Sequence, residues 1–313
     1  MSTGRKRSRS AMSVKPSFAS IKLFEEEAHF RRLFKARHQE MNKMEIKTST
    51  MRASFVDDPS YRFTVYTLQI TSKVRRGDSG AWVLAKRYSE FFNFRKQLLK
   101  LILAWEAELD DSHRATREFG LISNSLRRPM SPNFPRKHMR CDTDAIVHER
   151  RHGLQEFVRK LLDAYVDISV YLYNSQPNDS TPYQCLRQIF LALEDFLDIP
   201  QEEKEVQYRQ TAAVLALEDV EPVESEVDAP GPRERTCCIC LDDTNSDDDD
   251  EEPVAFGLVR LPCAHMFHED CVIDWFNAST TCPLCRENAV TEPPTSFDVS
   301  MYSELERRMS SLV

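Results

Sequence analysis

Eight side chains able to ligate a metal fall within residues 237–285, in four pairs: Cys237/Cys240, Cys263/His265, His268/Cys271 and Cys282/Cys285. No other feature constrains the fold of this chain as strongly. A C-x-x-C turn aims two thiolates at one ion, and eight thiolate or imidazole ligands complete two tetrahedral zinc sites with no position left open. Closed coordination is structural chemistry, because a catalytic zinc keeps one place for water or substrate. A module of about 50 residues buries too little apolar surface to fold unaided, so metal binding supplies much of its stability. Spacing alone leaves open which pairs share an ion. Cys238 lies beside the first ligand but has only C-x-C spacing to Cys240, and is read as a bystander.

The rest of the chain is framed by length and charge. Its 313 residues have room for about two domains. Six of the nine cysteines belong to the ligand set, leaving Cys141, Cys185 and Cys238 scattered, which excludes a disulfide framework. No apolar run reaches the roughly 18 residues that a membrane span needs, and the first twenty residues lack an apolar signal segment. An intracellular protein without a transmembrane anchor is expected.

The net charge of −8 conceals an asymmetry: residues 218–252 hold fifteen acidic side chains against two arginines, so the remainder is net basic. Acidic, proline-containing composition predicts a disordered linker over 201–235. A second acidic tract, Asp242–Glu252, is expected to loop out between the second and third ligands. Residues 1–44 read as a basic tail, with a possible helix over 20–43. Ile21, Leu23, Phe24, Phe30, Leu33 and Phe34 do not share one stripe there, so an amphipathic membrane helix is poorly supported. Residues 291–313 read as a C-terminal tail.

Residues 45–200 predict a compact α+β domain. Tyr61–Thr71 alternates apolar and polar residues as a half-buried strand does, 74–80 is turn chemistry, and Ala81–Ala85 begins another strand. A strand near 46–56 would complete a three-stranded antiparallel meander. Helical spacing follows at Phe91, Phe94, Leu98, Leu101 and Ile102, then over Asp144–Asp163 and Tyr183–Leu197. Strands followed by helices packed on them is the α+β pattern. Between the first long helix and Pro135, about 25 polar residues (Asp110–Phe134) are read as a loop.

Two resemblances give these segments a function. The ligand order, with Cys-Ile-Cys-Leu at 238–241, Leu-Pro-Cys-Ala-His-Met-Phe-His at 261–268, Asp-Trp-Phe at 274–276 and Cys-Pro-Leu-Cys-Arg at 282–286, resembles the two-histidine RING finger. The resemblance places the domain at 236–290 and implies a cross-brace. Cys237, Cys240, His268 and Cys271 would hold one of two zinc ions, and Cys263, His265, Cys282 and Cys285 the other. It further implies a RING-type ubiquitin-protein transferase that forms no covalent ubiquitin intermediate. Ile239, Trp275 and Pro283 would contact the ubiquitin-conjugating enzyme, and Arg286 would act as a linchpin touching both that enzyme and ubiquitin.

The second resemblance rests on Lys86-Arg87-Tyr88-Ser89-Glu90-Phe91, Phe134-Pro135-Arg136-Lys137 and Arg150-Arg151-His152-Gly153-Leu154, in that order on a meander followed by helices. Together they resemble the PX domain, a phosphoinositide-binding module. A guanidinium meets a phosphate through two parallel hydrogen bonds, and a tyrosine face suits a sugar-like ring. The resemblance implies Arg87 on the 3-phosphate, Tyr88 under the inositol ring, Lys137 on a neighbouring phosphate and Arg150 on ring hydroxyls. Phosphatidylinositol 3-phosphate is the implied lipid, and Met130, Phe134 and Met139, if exposed, would dip into the bilayer. The expected protein is a ubiquitin ligase held peripherally on endosomal membranes, with an unknown protein substrate and no nucleic-acid partner. The alternative is a phosphoinositide-binding sorting adaptor whose zinc module only docks proteins.

Overall fold

A computed structural model describes residues 18–54, 62–73, 80–138, 142–174, 180–220, 237–241 and 257–290. The basic tail at 1–17, the second half of the expected linker, the Asp242–Glu252 tract, Met139, Cys141 and the C-terminal tail lie outside the described residues. Among the described residues the fold is mixed: helices pack around two small antiparallel sheets.

The first sheet is the expected meander, β1 (Met44–Ser54), β2 (Arg62–Ser72) and β3 (Ala81–Arg87), in the order β1-β2-β3. Alternation dictates its inner face. Ile46 pairs with Ile70, Ile70 with Trp82 and Leu68 with Leu84, and all five side chains are buried. Over this face lie α2 (Tyr88–Ala107), α5 (Asp144–Asn174) and α6 (Thr181–Phe196), which bring the predicted Phe91, Phe94, Leu98 and Ile102 and the 186–197 stripe into one core. Phe94 and Phe196 stack at 3.8 Å between centroids, and the Trp82 indole donates to the Leu197 carbonyl at 3.0 Å.

Two expectations are corrected. The segment Asp110–Phe134 is not a loop: it folds into α3 (Asp111–Arg114), α4 (Arg117–Arg127) and a 3-10 turn over Arg128–Met130. Thr116 caps α4 through the Phe119 amide, and Ile122 and Leu126, four residues apart, point into the core. Nor is 201–235 wholly a linker. Residues Gln201–Leu215 form α7, and Glu218–Asp219 form β4. Glu202 and Glu203 suit the positive end of α7, and Ala212, Ala213 and Val214 are buried. Residues 201–219 are therefore ordered despite their acidic composition, and residues 221–235 of the expected linker lie outside the described residues.

The possible helix is α1 (Phe18–Asn42). It has no single apolar stripe because it serves two neighbours: α5 on one side, and α7 with the zinc module on the other. Leu33 and Ala36 are buried there, together with Arg32 and Arg37. The zinc module adds β5 (Leu258–Arg260), β6 (Met266–His268) and α8 (Glu269–Phe276). β4 joins β5 and β6 in the order β4-β5-β6, so the segment ahead of the metal ligands is a strand of the zinc module's own sheet.

Candidate zinc centres and phosphoinositide pocket

The metal ligands gather in two groups, Cys237, Cys240, His268 and Cys271 in one and Cys263, His265, Cys282 and Cys285 in the other, with the ligating atoms of each within 4.8 Å of one another. The pairs interleave along the chain. The His268 Nδ1 lies 3.2 Å from the Cys240 sulfur and 4.0 Å from that of Cys271; the His265 Nδ1 lies 3.4 Å from Cys263 and 3.6 Å from Cys282. A zinc tetrahedron built from its usual bond lengths has S···N edges of roughly 3.5 Å, so both groups fit the ion.

Local backbone prepares the thiolates. Each knuckle turns through a residue of positive φ, Leu241 (63°), Ala264 (67°) and Arg286 (63°), an uncommon conformation for a side-chain-bearing residue. The Leu284 amide donates to the Cys282 sulfur at 3.4 Å, and Leu241 N–H to the Cys237 carbonyl at 2.7 Å. At Cys237 and Cys282 burial pushes the thiol pKa up, but amide donors outweigh it and leave both below the ordinary value. Cys263 and Cys271 go the other way, to about 11 and about 12, through burial and the neighbouring sulfurs. Each group holds three sulfurs this close together, and only a cation among them lets all three ionise.

Around the centres, Val272, Ile273 and Phe276 of α8 are buried, whereas Trp275 faces outward, 36% exposed, with its indole N–H donated to the Thr281 carbonyl at 2.7 Å. Leu241 and Leu284 are exposed as well, Arg286 projects into solvent, and Ile239 and Pro283 are half-buried. Leu241 and Leu284 were not singled out from the sequence. Their signal is an apolar residue one position from a ligand, in a turn too tight to bury it.

On the other domain, Arg87 ends β3 and caps α2. Its amide donates to Glu90 Oε2 at 2.8 Å, its guanidinium lies 3.5 Å from the same carboxylate, and Phe63 sits 5.2 Å from it. Tyr88 is 8% exposed, with its hydroxyl donated to the Pro135 carbonyl at 2.8 Å. The Arg150 guanidinium lies 3.8 Å above the Tyr88 ring and donates to Asp142 at 2.6 Å. Tyr88 therefore already carries a planar cation on one face. Lys137 and Lys96 approach Phe92 at 5.5 and 4.7 Å.

The structure thus brings Tyr88 and Arg150 into contact, sets Arg87 next to Tyr88 in sequence, and places Lys137 beside Phe92, one helical turn from Tyr88. Glu90, Phe92 and Asp142 escaped the sequence reading. Glu90 carried a usable signal, a carboxylate three residues after a strand-to-helix junction. Gly153 has a steric role: a Cβ there would lie 2.4 Å from Cγ of Pro135, so the loop carrying Lys137 packs against α5 only across a glycine. Of the residues expected to meet a bilayer, Met130 and Phe134 are partly buried against the core, and Phe134 packs edge-on to Phe157 at 4.9 Å.

Comparison with known proteins agrees with both halves. A PX domain model matches residues 74–171, and a ring finger domain model matches 235–286. The PX match begins after β2, although β1 and β2 complete the sheet and carry part of its core. Among curated relatives, the chain is 38% identical over 56 residues to the E3 ubiquitin-protein ligase Iruka of Drosophila melanogaster, 18% of this chain and 13% of that one. It is 35% identical over 72 residues to the E3 ubiquitin-protein ligase RNF126-B of Xenopus laevis, 21% and 20%. It is 40% identical over 63 residues to the RING-H2 finger protein ATL39 of Arabidopsis thaliana, 20% and 41%. The matched stretches span less than half the length of each relative. No solved structure matches the chain. The chain thus joins a PX domain to a zinc-binding RING finger domain of the RING-H2 type.

Proposed function

We propose that this chain is a RING-type ubiquitin ligase brought to membranes by its PX domain, with phosphatidylinositol 3-phosphate as the lipid. The observation that carries the reading is the pairing of two closed metal-ligand groups with outward-facing Trp275, Leu284 and Arg286. A closed zinc offers no Lewis-acid position, so the metal, when bound, serves to hold the knuckles in place. What the residues do is positioning. Trp275, Leu284, Ile239 and Pro283 supply an apolar surface for a conjugating enzyme, and Arg286 a guanidinium fork for the enzyme and its ubiquitin. Holding the loaded enzyme in its reactive arrangement accelerates transfer to a lysine without any acid, base or nucleophile from this chain.

On the lipid side, Arg87 receives the phosphate that identifies the headgroup, Lys137 a neighbouring phosphate, and Arg150, held over Tyr88, the ring hydroxyls. Among the described residues no helix is long and apolar enough to cross a membrane. Attachment through the PX domain would be peripheral, at endosomal membranes. The relatives named as E3 ubiquitin-protein ligases support the enzymatic half. The test is autoubiquitination by the full chain with a panel of conjugating enzymes, with and without liposomes carrying phosphatidylinositol 3-phosphate. Transfer that the liposomes concentrate supports the proposal; no transfer with any enzyme would reject it.

A further inference from the structure

We propose that α1 is a built-in docking element for the RING finger, so that the PX domain, α1, α7 and the RING form one rigid body rather than two modules on a tether. Three independent features carry this. The first is apolar: Leu33 and Ala36 of α1, Ala213 and Val214 of α7, and Ile273 and Phe276 of α8 belong to one buried cluster. α8 is the RING's one helix among the described residues, and its inner face is covered by α1 and α7. Val170 of the long PX helix α5 enters the same cluster, so it continues into the PX domain without a solvent gap.

The second feature is a buried charge. Arg32 is 0% exposed and donates from Nε to Glu269 at 2.9 Å, from Nη1 to the Leu217 carbonyl at 3.3 Å and from Nη2 to Asp219. One planar fork thereby ties α1 to the first turn of α8 and to β4, the strand contributed by the segment ahead of the RING. A guanidinium withdrawn from water stays there only with its donors satisfied. A loosely tethered RING would leave Arg32 without Glu269. Arg37 repeats the arrangement on α7, donating to the Gln207 carbonyl at 2.8 Å and to Thr211 Oγ1 at 2.9 Å.

The third is sign. The acidic side chains Glu269, Asp270 and Asp274 of α8 each meet a cation from or just after α1: Arg31 and Arg32, Lys35 and Lys43 respectively. The order runs the same way along both segments, as expected of a fixed register rather than chance surface pairing. These rim pairs contribute little singly, but they disfavour other dockings of the same helices.

For function, the lipid pocket and the face bearing Trp275 hold a constant orientation, so a membrane-bound molecule offers the conjugating enzyme at one angle and height. That consequence rests on the proposed function; the rigid body does not. Backbone amide relaxation of the full, zinc-loaded chain tests it whether or not ubiquitin is transferred. Amides of residues 257–290 and of 80–138 are expected to share one rotational correlation time. A shorter time for the RING amides in the wild type would overturn the proposal. Leu33→Asp, which replaces no metal ligand and no lipid-pocket residue, is expected to split that single time in two while zinc content stays unchanged. A folded Leu33→Asp protein that still tumbles as one body would also overturn it. Should that variant not fold, the wild-type measurement decides alone.

Discussion

The guanidinium of Arg150 lies 3.8 Å above the ring of Tyr88, and the two were singled out from motifs 62 residues apart. The contact explains why an arginine only 4% exposed persists at this position: one face rests on an aromatic ring and one Nη donates to Asp142. Stacking and a two-pronged donor are properties lysine lacks. Arg150→Lys is expected to lower affinity for phosphatidylinositol 3-phosphate liposomes about tenfold, a loss of about 1.4 kcal/mol. Arg87→Ala, which removes the phosphate fork, is expected to abolish binding. Liposome co-sedimentation checks both, with an unchanged melting temperature of the PX domain as the control for folding; binding equal to wild type would reject the assigned pocket.

Gly153→Ala separates helix propensity from packing. In an exposed helix the change would stabilise by about 1 kcal/mol. Here the new methyl would meet Pro135 at 2.4 Å, a ring fixed in a loop whose carbonyl accepts from Tyr88. Displacing that loop moves Lys137. A lower melting temperature and weaker liposome binding are expected, with ubiquitin transfer in solution unchanged. A melting temperature at or above wild type would show that the loop yields freely.

Two zinc ions per chain are expected by elemental analysis, and Cys263→Ser is expected to release the RING while the β1–β2–β3 domain stays folded. Uptake should depend on pH with a definite sign. Without metal, Cys263 and Cys271 lie near 11 and 12, so both carry protons at neutral pH and must lose them on binding. Acid therefore opposes uptake, and affinity is expected to fall about tenfold per pH unit for each proton released. Competition with a chromophoric chelator between pH 6 and 8 measures the slope; a flat profile would contradict it.

How much of this was legible beforehand follows from what each pattern reports. The ligand spacings, the meander and the Leu186–Leu197 stripe were readable because each depends on neighbours within a turn or a strand. α7 and β4 were not: acidic composition dominated 201–235, and what anchors the C-terminal end of α7 is small, Ala212, Ala213 and Val214, against partners far away in sequence. α1 was missed as a docking helix for the opposite reason. Its buried contacts include Arg32 and Arg37, so it breaks the apolar periodicity that sequence reasoning scores. Asp142 beside Arg150 carried no local signal at all.

The proposed positioning role of this RING is read out by single-turnover discharge of a loaded conjugating enzyme by the full chain. Ile239→Ala is expected to weaken docking of the enzyme with both zinc ions retained, since no ligand is touched. Arg286→Ala is expected to leave docking nearly intact and slow discharge by about tenfold or more, because a contact made chiefly in the reactive arrangement acts on rate rather than on binding. Discharge by wild type that both substitutions impair in these distinct ways is the predicted result. Both variants discharging ubiquitin as fast as wild type, or a wild type inert with every conjugating enzyme tried, would contradict it.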